Sequence, residues 1–420
     1  MVVTILQIWL AFVIAVMVVY TIRHWIFTFS RVYSRQRVSF ADAYDEDLPM
    51  LSVLVPMHNE QAVAAQCLDA ILASDYPAEK LEILPIDDHS EDETAVILAR
   101  YAARNPRVKP VRVDQKERGK SNALNVGLAH AQAQIVLVFD ADYTPGRGVL
   151  RALAKGFIDP EVGAVMGRVV PRNTSRNMLT RLLSMERAGG YQVDQQARYN
   201  FDLLPQYGGT VGGFRRRLLD EIGGFDPRSL AEDTELTVSI FRRGWKVVYD
   251  NRAECYEEVP ETWPARFGQL RRWSRGHNAV ASSNLLGVLT TKGLSFAQRL
   301  DGALLLLCYA VPPLLLSGWL AALLLFLMGH MPFAGGIALA FAVVLYNAFG
   351  NFAPVYQIAT AEVLDGSTKR LYLLPFLFYM FPFNSWAITT GWVDSIGDFV
   401  KSRRPGWEKT KRSDMGATKA

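Results

Sequence analysis

Apolar side chains are unevenly spread along the 420 residues. Met1 to Ile22 carries no charge, a run long enough to cross a bilayer as a helix. Arg23, His24, Arg31, Arg35 and Arg37 follow. A secretory signal carries its basic residues ahead of the apolar core; this order instead predicts a retained anchor with its N-terminus outside. Gly302 to Ala361 contains no Lys, Arg, Asp or Glu. That stretch predicts two crossings, about 302–328 and 333–358, turning at Gly329–Pro332. A third apolar stretch, Leu371 to Val393, contains Pro375 and Pro382, which are expected to break its helix. It is expected to re-enter or lie along the interface, because the tail beyond it holds Lys401, Arg403, Arg404, Lys409, Lys411 and Arg412. Basic residues prefer the cytoplasmic side.

Between the apolar ends, short apolar runs alternate with helix-like segments. Leu51–Val55, Leu81–Ile86, a weaker 108–113 and Ile135–Phe139 read as strands. Segments of about 60–73, 92–104 and 119–132 read as helices. Such alternation predicts an α/β domain with a parallel sheet. Ligands then bind at the carboxyl ends of the strands. His58-Asn59-Glu60, Asp87-Asp88 and Asp140-Ala141-Asp142 sit at those ends. No G-x-G-x-x-G follows the first strand, which disfavours a dinucleotide fold.

Composition narrows the class. Half of the residues are hydrophobic and 20% are charged, which excludes a disordered chain. Cys67, Cys255 and Cys308 lie far apart, arguing against a disulfide framework or zinc cluster. A net charge of +4 argues against a nucleic-acid partner.

Five segments carry candidate chemistry. The carboxylates of Asp140 and Asp142, one residue apart where a strand ends, suit a hard divalent cation that also takes diphosphate oxygens. Asp87-Asp88-His89-Ser90 also follows a strand, and Asp88 or Ser90 is expected to cap the next helix. Gly119 and Lys120 open a helix, Gly119 letting backbone approach a ligand and Lys120 reaching a phosphate. Glu232 and Asp233 open another; either is a first-turn acid or a general base. Trp263, Phe267, Leu270, Trp273 and His277 recur at helical spacing, with Arg266, Arg271, Arg272 and Arg275 on other faces. That pattern reads as an ordinary amphipathic surface helix or, just before the membrane spans, as a helix lying in the bilayer interface, aromatics down and arginines up, with arginines that could also face a diphosphate.

The order of motifs resembles the membrane-embedded family 2 glycosyltransferases, which include cellulose, chitin, hyaluronan, mannan and poly-N-acetylglucosamine synthases. The likeness rests on P-x-x-N-E at Pro56–Glu60 (with Asn59), D-D-x-S at Asp87–Ser90, G-K-x-x-A-L-N at Gly119–Asn125 and D-x-D at Asp140–Asp142. It continues with Gly-Gly-Thr-Val-Gly-Gly-Phe-Arg at 208–215, E-D at Glu232–Asp233 and Q-x-x-R-W at Gln269–Trp273. The resemblance implies a GT-A type nucleotide-sugar-binding domain, α/β with a mostly parallel sheet, inserted between transmembrane helices with amphipathic interface helices. Residues 1–29 would be a membrane helix, 48–260 the cytosolic transferase domain, 261–298 the interface helices, 299–397 a membrane region and 398–420 a basic cytosolic tail. It would sit in the cell membrane as a multi-pass protein.

Roles follow from the same resemblance. Pro56, Asn59, Glu60, Asp87, Asp88, Lys120, Asp140, Gln269 and Arg272 would bind a UDP-sugar. Asp142, with Asp140, would hold Mg²⁺ or Mn²⁺. Asp233 would deprotonate the acceptor, and Gly209, Thr210, Glu232 and Trp273 would hold it. Trp407, Thr410 and Arg412 would form a gating motif. The leading expectation is an inverting, processive synthase that elongates a β-linked polysaccharide and threads it across the membrane, with a possible accessory export subunit. The alternative is a transferase adding one sugar to a lipid; a transporter or scaffold with a degenerate nucleotide-binding domain would have lost Asp88, Asp142 or Asp233.

Overall fold

The computed structural model describes residues 1–38, 44, 48–330 and 352–400. Its centre is an eight-stranded sheet: β1 Leu51–Met57, β2 Leu81–Asp87, β3 Val111–Arg112, β4 Ile135–Val138, β5 Thr144–Pro145, β6 Val162–Pro171, β7 Gly212–Arg215 and β8 Lys246–Glu257. The strands lie in the order β3-β2-β1-β4-β7-β6-β8-β5. β3, β2, β1 and β4 are parallel, with Leu54 opposite both Leu84 and Val138. β7 runs antiparallel between β4 and β6, and β6 and β8 are again parallel. The sheet is therefore mostly parallel and buried on both faces, which is why β1, β2 and β4 appear as continuous apolar runs rather than alternating ones. Alternate residues still choose opposite cores. Val53 and Val55 join Leu68 and Ile71 on one side; Leu54 joins Ile86, Leu124 and Leu236 on the other.

A long helix α1, Val2–Tyr33, precedes the sheet. Within the domain come α2 Ala64–Leu72, α3 Thr94–Arg104, α4 Lys120–His130, α5 Val149–Lys155 and α6 Met178–Ala188. A π-helical turn, Gly189–Gln195, then leads into α7 Gln196–Asn200. α8 Arg216–Ile222 and α9 Glu232–Arg242 complete the domain. The chain leaves it through α10 Trp263–Thr290, α11 Phe296–Leu306 and α12 Val311–Leu327. α13 (352–364) and α14 Leu377–Val400 follow.

Among the described residues, three helical stretches are long and apolar enough to cross a membrane: Val2–Tyr33, Cys308–Leu327 and Thr368–Phe399. α1 and α12 pack together. Trp9 donates to Ser317 at 3.2 Å, and a Cβ on Gly318 would press on Val13. Near its C-terminal end α1 is tied down by Arg23, which pairs with Asp301 of α11 at 2.8 Å and with Asp194 of the π-helical turn at 3.0 Å.

Three expectations change. The crossing expected from Gly302 begins later, because Gly302 to Leu306 belong to α11, packed on Phe241 and Val288. Pro312 and Pro313 sit in the first turn of α12, where their missing N–H groups cost nothing. Pro382 does not break the third apolar stretch: it lies inside α14, and only Pro375 sits in the irregular 3₁₀ segment Thr368–Phe376. The aromatic face of α10 is not laid on lipid alone. Trp263 and Phe267 pack edge-on against Phe383 of α14, and Phe267 also against Trp386. Most of the crossing expected at 333–358, and Trp407, Thr410 and Arg412, lie outside the described residues.

Candidate active site

The carboxyl ends of β1, β2 and β4 open into a cavity of about 2480 Å³. Pro56, Asn59, Glu60, Asp88, Lys120, Asp140, Asp142, Gly209, Glu232, Asp233, Gln269, Arg272 and Trp273 all line it. Motifs as far apart in sequence as Pro56 and Trp273 are thus brought to one place by the sheet, the start of α9 and one face of α10.

Asp88 accepts the Gly119 N–H at 2.7 Å and the His89 ring nitrogen at 2.8 Å. It joins the end of β2 to the start of α4. Asp87 turns away from the cavity and accepts the Ser90 N–H at 3.1 Å. Neither Asp88 nor Ser90 caps α3, which starts later, at Thr94, with Asp92 accepting the Thr94 N–H at 2.9 Å; the Ser90 hydroxyl instead accepts the Asn59 N–H at 3.0 Å. Asn59 and His89 hold positive φ angles, +53° and +57°, conformations that cost free energy and cluster at binding sites. Asn59 uses its side-chain oxygen to take the Glu91 N–H at 2.8 Å, tying the two loops together.

Lys120 is the hub of the other half. Its Nζ lies 2.7 Å from Asp140 Oδ1 and 3.4 Å from Glu232 Oε1, and donates to the Gly209 carbonyl at 2.7 Å. One cation thereby ties β4, α9 and the loop before β7. Gly209 has φ +84°, and a Cβ there would stand 3.2 Å from Lys120 Nζ and 3.4 Å from Asp233 Oδ2. A side chain would be strained and would crowd the very groups the loop approaches. Thr210 does not line the cavity; its buried hydroxyl accepts the Asp140 N–H at 3.1 Å and props the D-x-D turn from behind. Val211 carries φ +53°, an outlier for a β-branched residue.

Carboxylates outnumber the cations around Lys120. Burial pushes the Asp140 carboxyl up to about 6, Lys120 opposing and Asp142 adding to the rise. Burial also raises Glu232 and Asp233, again against the pull of Lys120. Arg272 is lowered by burial, while Glu232, Asp233 and Asp140 pull the other way. Such a site gains from a further positive charge. Among the described residues no three His, Cys, Asp or Glu side chains cluster as a metal cage. Asp140 and Asp142 offer hard oxygens for part of a coordination shell, leaving the remainder to a substrate.

The α10 side of the cavity is built on arginines. Arg266 donates to Gln269 at 2.9 Å and to Glu186 at 2.5 Å. The Trp273 ring lies under two guanidinium groups, Arg187 at 5.2 Å and Arg266 at 5.8 Å. Arg187 is itself held by Glu257 at 2.7 Å, which also accepts the Tyr143 hydroxyl at 2.8 Å. The sequence reading missed this Tyr143–Glu257–Arg187 connection between the D-x-D loop and Trp273. Tyr143 directly follows the D-x-D, a usable signal; Arg187 sits in an ordinary helical pattern and gives none.

Residues 52–223 match Glycosyl transferase family 2. A probable glycosyltransferase, YdaM, from Bacillus subtilis is 34% identical over 238 residues, 56% of this chain and 57% of that protein. Beta-monoglucosyldiacylglycerol synthase from Synechocystis is 30% identical over 285 residues, 66% of this chain and 59% of that protein. The chain thus spans less than two thirds of the length of these relatives. Among solved structures, a mannosyltransferase from Pyrobaculum calidifontis, in complex with GDP-Man and Mn²⁺, superposes with a TM-score of 0.59 at 25% identity. It covers 86% of this chain and 98% of its own. With the strand order and the ends of β1, β2 and β4 described above, these likenesses show a GT-A-like α/β fold in which residues 52–223 resemble Glycosyl transferase family 2.

Proposed function

We propose that the protein is an inverting glycosyltransferase that moves one hexosyl group from a UDP-sugar to a lipid-borne acceptor at the cytoplasmic face of the membrane. One observation carries the acceptor assignment. The cavity that holds Asp140, Glu232 and Asp233 continues between membrane helices, where Leu10, Val13, Ile14, Met17 and Leu315 line it. This aliphatic stretch suits an acyl chain, while Tyr20, Thr21, Arg23 and His24 of the same helix also line the cavity and offer polar groups to a headgroup. The Synechocystis relative is, by its name, a synthase of a glucosyldiacylglycerol, a lipid. Processive polysaccharide synthesis is the reading that Q-x-x-R-W favours. Against it, part of the Trp273 ring that would stack on a growing chain is covered by Arg187 and Arg266.

In this reading the Asp88 and Asn59 loops hold the nucleoside, and Arg272 and Lys120 face the diphosphate. A divalent cation held by Asp140 and Asp142 supplies neutralisation of the diphosphate when bound. Asp233 takes the proton of the acceptor hydroxyl as its oxygen attacks the anomeric carbon. The bond from that carbon to the diphosphate breaks, and the nucleoside diphosphate leaves with the electron pair. Charge developing on the leaving oxygens meets Arg272 across the cavity. A single displacement without a protein nucleophile inverts the anomeric centre.

The test uses the full chain in lipid nanodiscs, offered UDP-sugars or GDP-sugars with Mg²⁺ or Mn²⁺ and diacylglycerol or other lipid acceptors. A monoglycosylated lipid from a UDP-sugar, lost with EDTA, is the expected product. A polymer would overturn the acceptor assignment, turnover of GDP-sugars alone the nucleotide, and full activity in EDTA the metal.

A further inference from the structure

His277 lies on α10, one turn beyond Trp273, and lines the same cavity, yet the chemistry above gives it no task. Its ring stacks on Tyr309, at the start of the apolar stretch Cys308–Leu327, with centroids 4.6 Å apart and planes 19° from parallel. Its Nδ1 lies 2.9 Å from the Thr234 hydroxyl. Thr234 follows Asp233 directly. The Thr234 backbone N–H donates to Asp233 Oδ1 at 2.7 Å, while the hydroxyl stands 3.4 Å from that same oxygen. The Gln206 amide donates to the Thr234 hydroxyl at 3.2 Å, filling one of its acceptor directions.

The Thr234 hydroxyl has one proton to give. It has two possible takers, the His277 ring at 2.9 Å and the Asp233 carboxylate at 3.4 Å. Burial pushes the His277 imidazole down to about 4, so at neutral pH one ring nitrogen keeps a lone pair. We propose that His277 is a positioning residue for Asp233: by accepting the Thr234 proton, it keeps that hydroxyl from donating to the carboxylate that must act as a base. A carboxylate that accepts fewer hydrogen bonds is a stronger base. Asp233 then keeps Oδ1 on the Thr234 backbone N–H, without the hydroxyl, and turns Oδ2, the oxygen nearer Gly209, toward the acceptor proton. Because Tyr309 seats the ring, the first turn toward the membrane also fixes the orientation of the base.

The inference rests on Asp233 being the acceptor-activating base, and the experiment separates the two. Transfer is measured for the full chain in nanodiscs, with UDP binding measured alongside to show that each variant is folded. His277→Ala should lower kcat about tenfold, the scale of one hydrogen bond to a charged group, with little change in either KM. His277→Asn, whose carbonyl oxygen can stand near the former Nδ1, should restore most of it. Thr234→Val removes the proton in dispute. In that background His277→Ala should cost nothing further, a non-additivity that a merely structural histidine would not produce. Equal losses in both backgrounds, no rescue by Asn, or full activity of His277→Ala would each overturn the proposal while leaving Asp233 in place. Turnover by Asp233→Asn would instead remove the base, and the role of His277 with it.

Discussion

At the scale of single residues, the site is a contest between burial and one lysine. The proposed base Asp233 acts only when deprotonated, so transfer is expected to fail as pH falls through its folded pKa. Burial raises that pKa and the Lys120 cation pulls it back. Removing the cation therefore lets it rise further. Lys120→Met is expected to move the acid limb of the kcat–pH profile to higher pH, measured at saturating donor. A limb that stays in place or moves down would uncouple the two groups. Asp233→Asn should retain UDP binding and lose transfer by at least about a hundredfold, within the range for removal of a general base; calorimetry and turnover on one preparation check both halves.

At the scale of elements, α10 and α14 decide how the site meets the membrane. They run side by side, with Arg271 bonded to Asp394 at 2.5 Å and Arg275 paired with Asp398. At the centre of the contact a Cβ on Gly391 would run into the Arg271 carbonyl. The Arg271–Asp394 pair is partly exposed, so Asp394→Ala should cost less than about 1 kcal/mol. Gly391→Val presses a branched side chain against backbone and should cost about 1–3 kcal/mol. Thermal unfolding in detergent should rank the two in that order; the reverse order would mean that charge, not close approach, holds the helices together. This packing was the least legible part of the sequence. β1, β2 and β4 were readable because strands buried on both faces leave unbroken apolar runs. β5, with two residues, and β7, which opens on Gly212-Gly213, carry no such run. Lys120 was readable as a site residue, but its carboxylate partners lie on two other elements. The continuity of α14 was hidden because Pro382 signals a break locally, while the contacts along that helix come from Phe267, Arg271 and Arg275, more than a hundred residues earlier.

At the scale of the whole molecule, the course of α14 bears on topology. From Phe383 to Asp398 it follows α10 from Trp263 to Arg275, the segment that carries Gln269, Arg272 and Trp273 at the cavity. A helix bound along that length is expected to stay on the side of the catalytic domain rather than cross. A cysteine at position 413, in a background lacking Cys308, should escape an impermeant thiol reagent in intact cells and react after permeabilisation; labelling from outside would mean that α14 spans the bilayer. The cavity has its own consequence for kinetics. Because it runs from the carboxylates to the faces of α1 and α12, an acceptor with an acyl chain would reach the base by diffusing in two dimensions. The concentration that governs the rate is then local and set by the bilayer, not by the volume of the tube. Adding inert phospholipid at constant total acceptor should slow transfer in proportion to the falling mole fraction of acceptor. Diluting the whole suspension with buffer, at saturating donor, should leave turnover per enzyme unchanged.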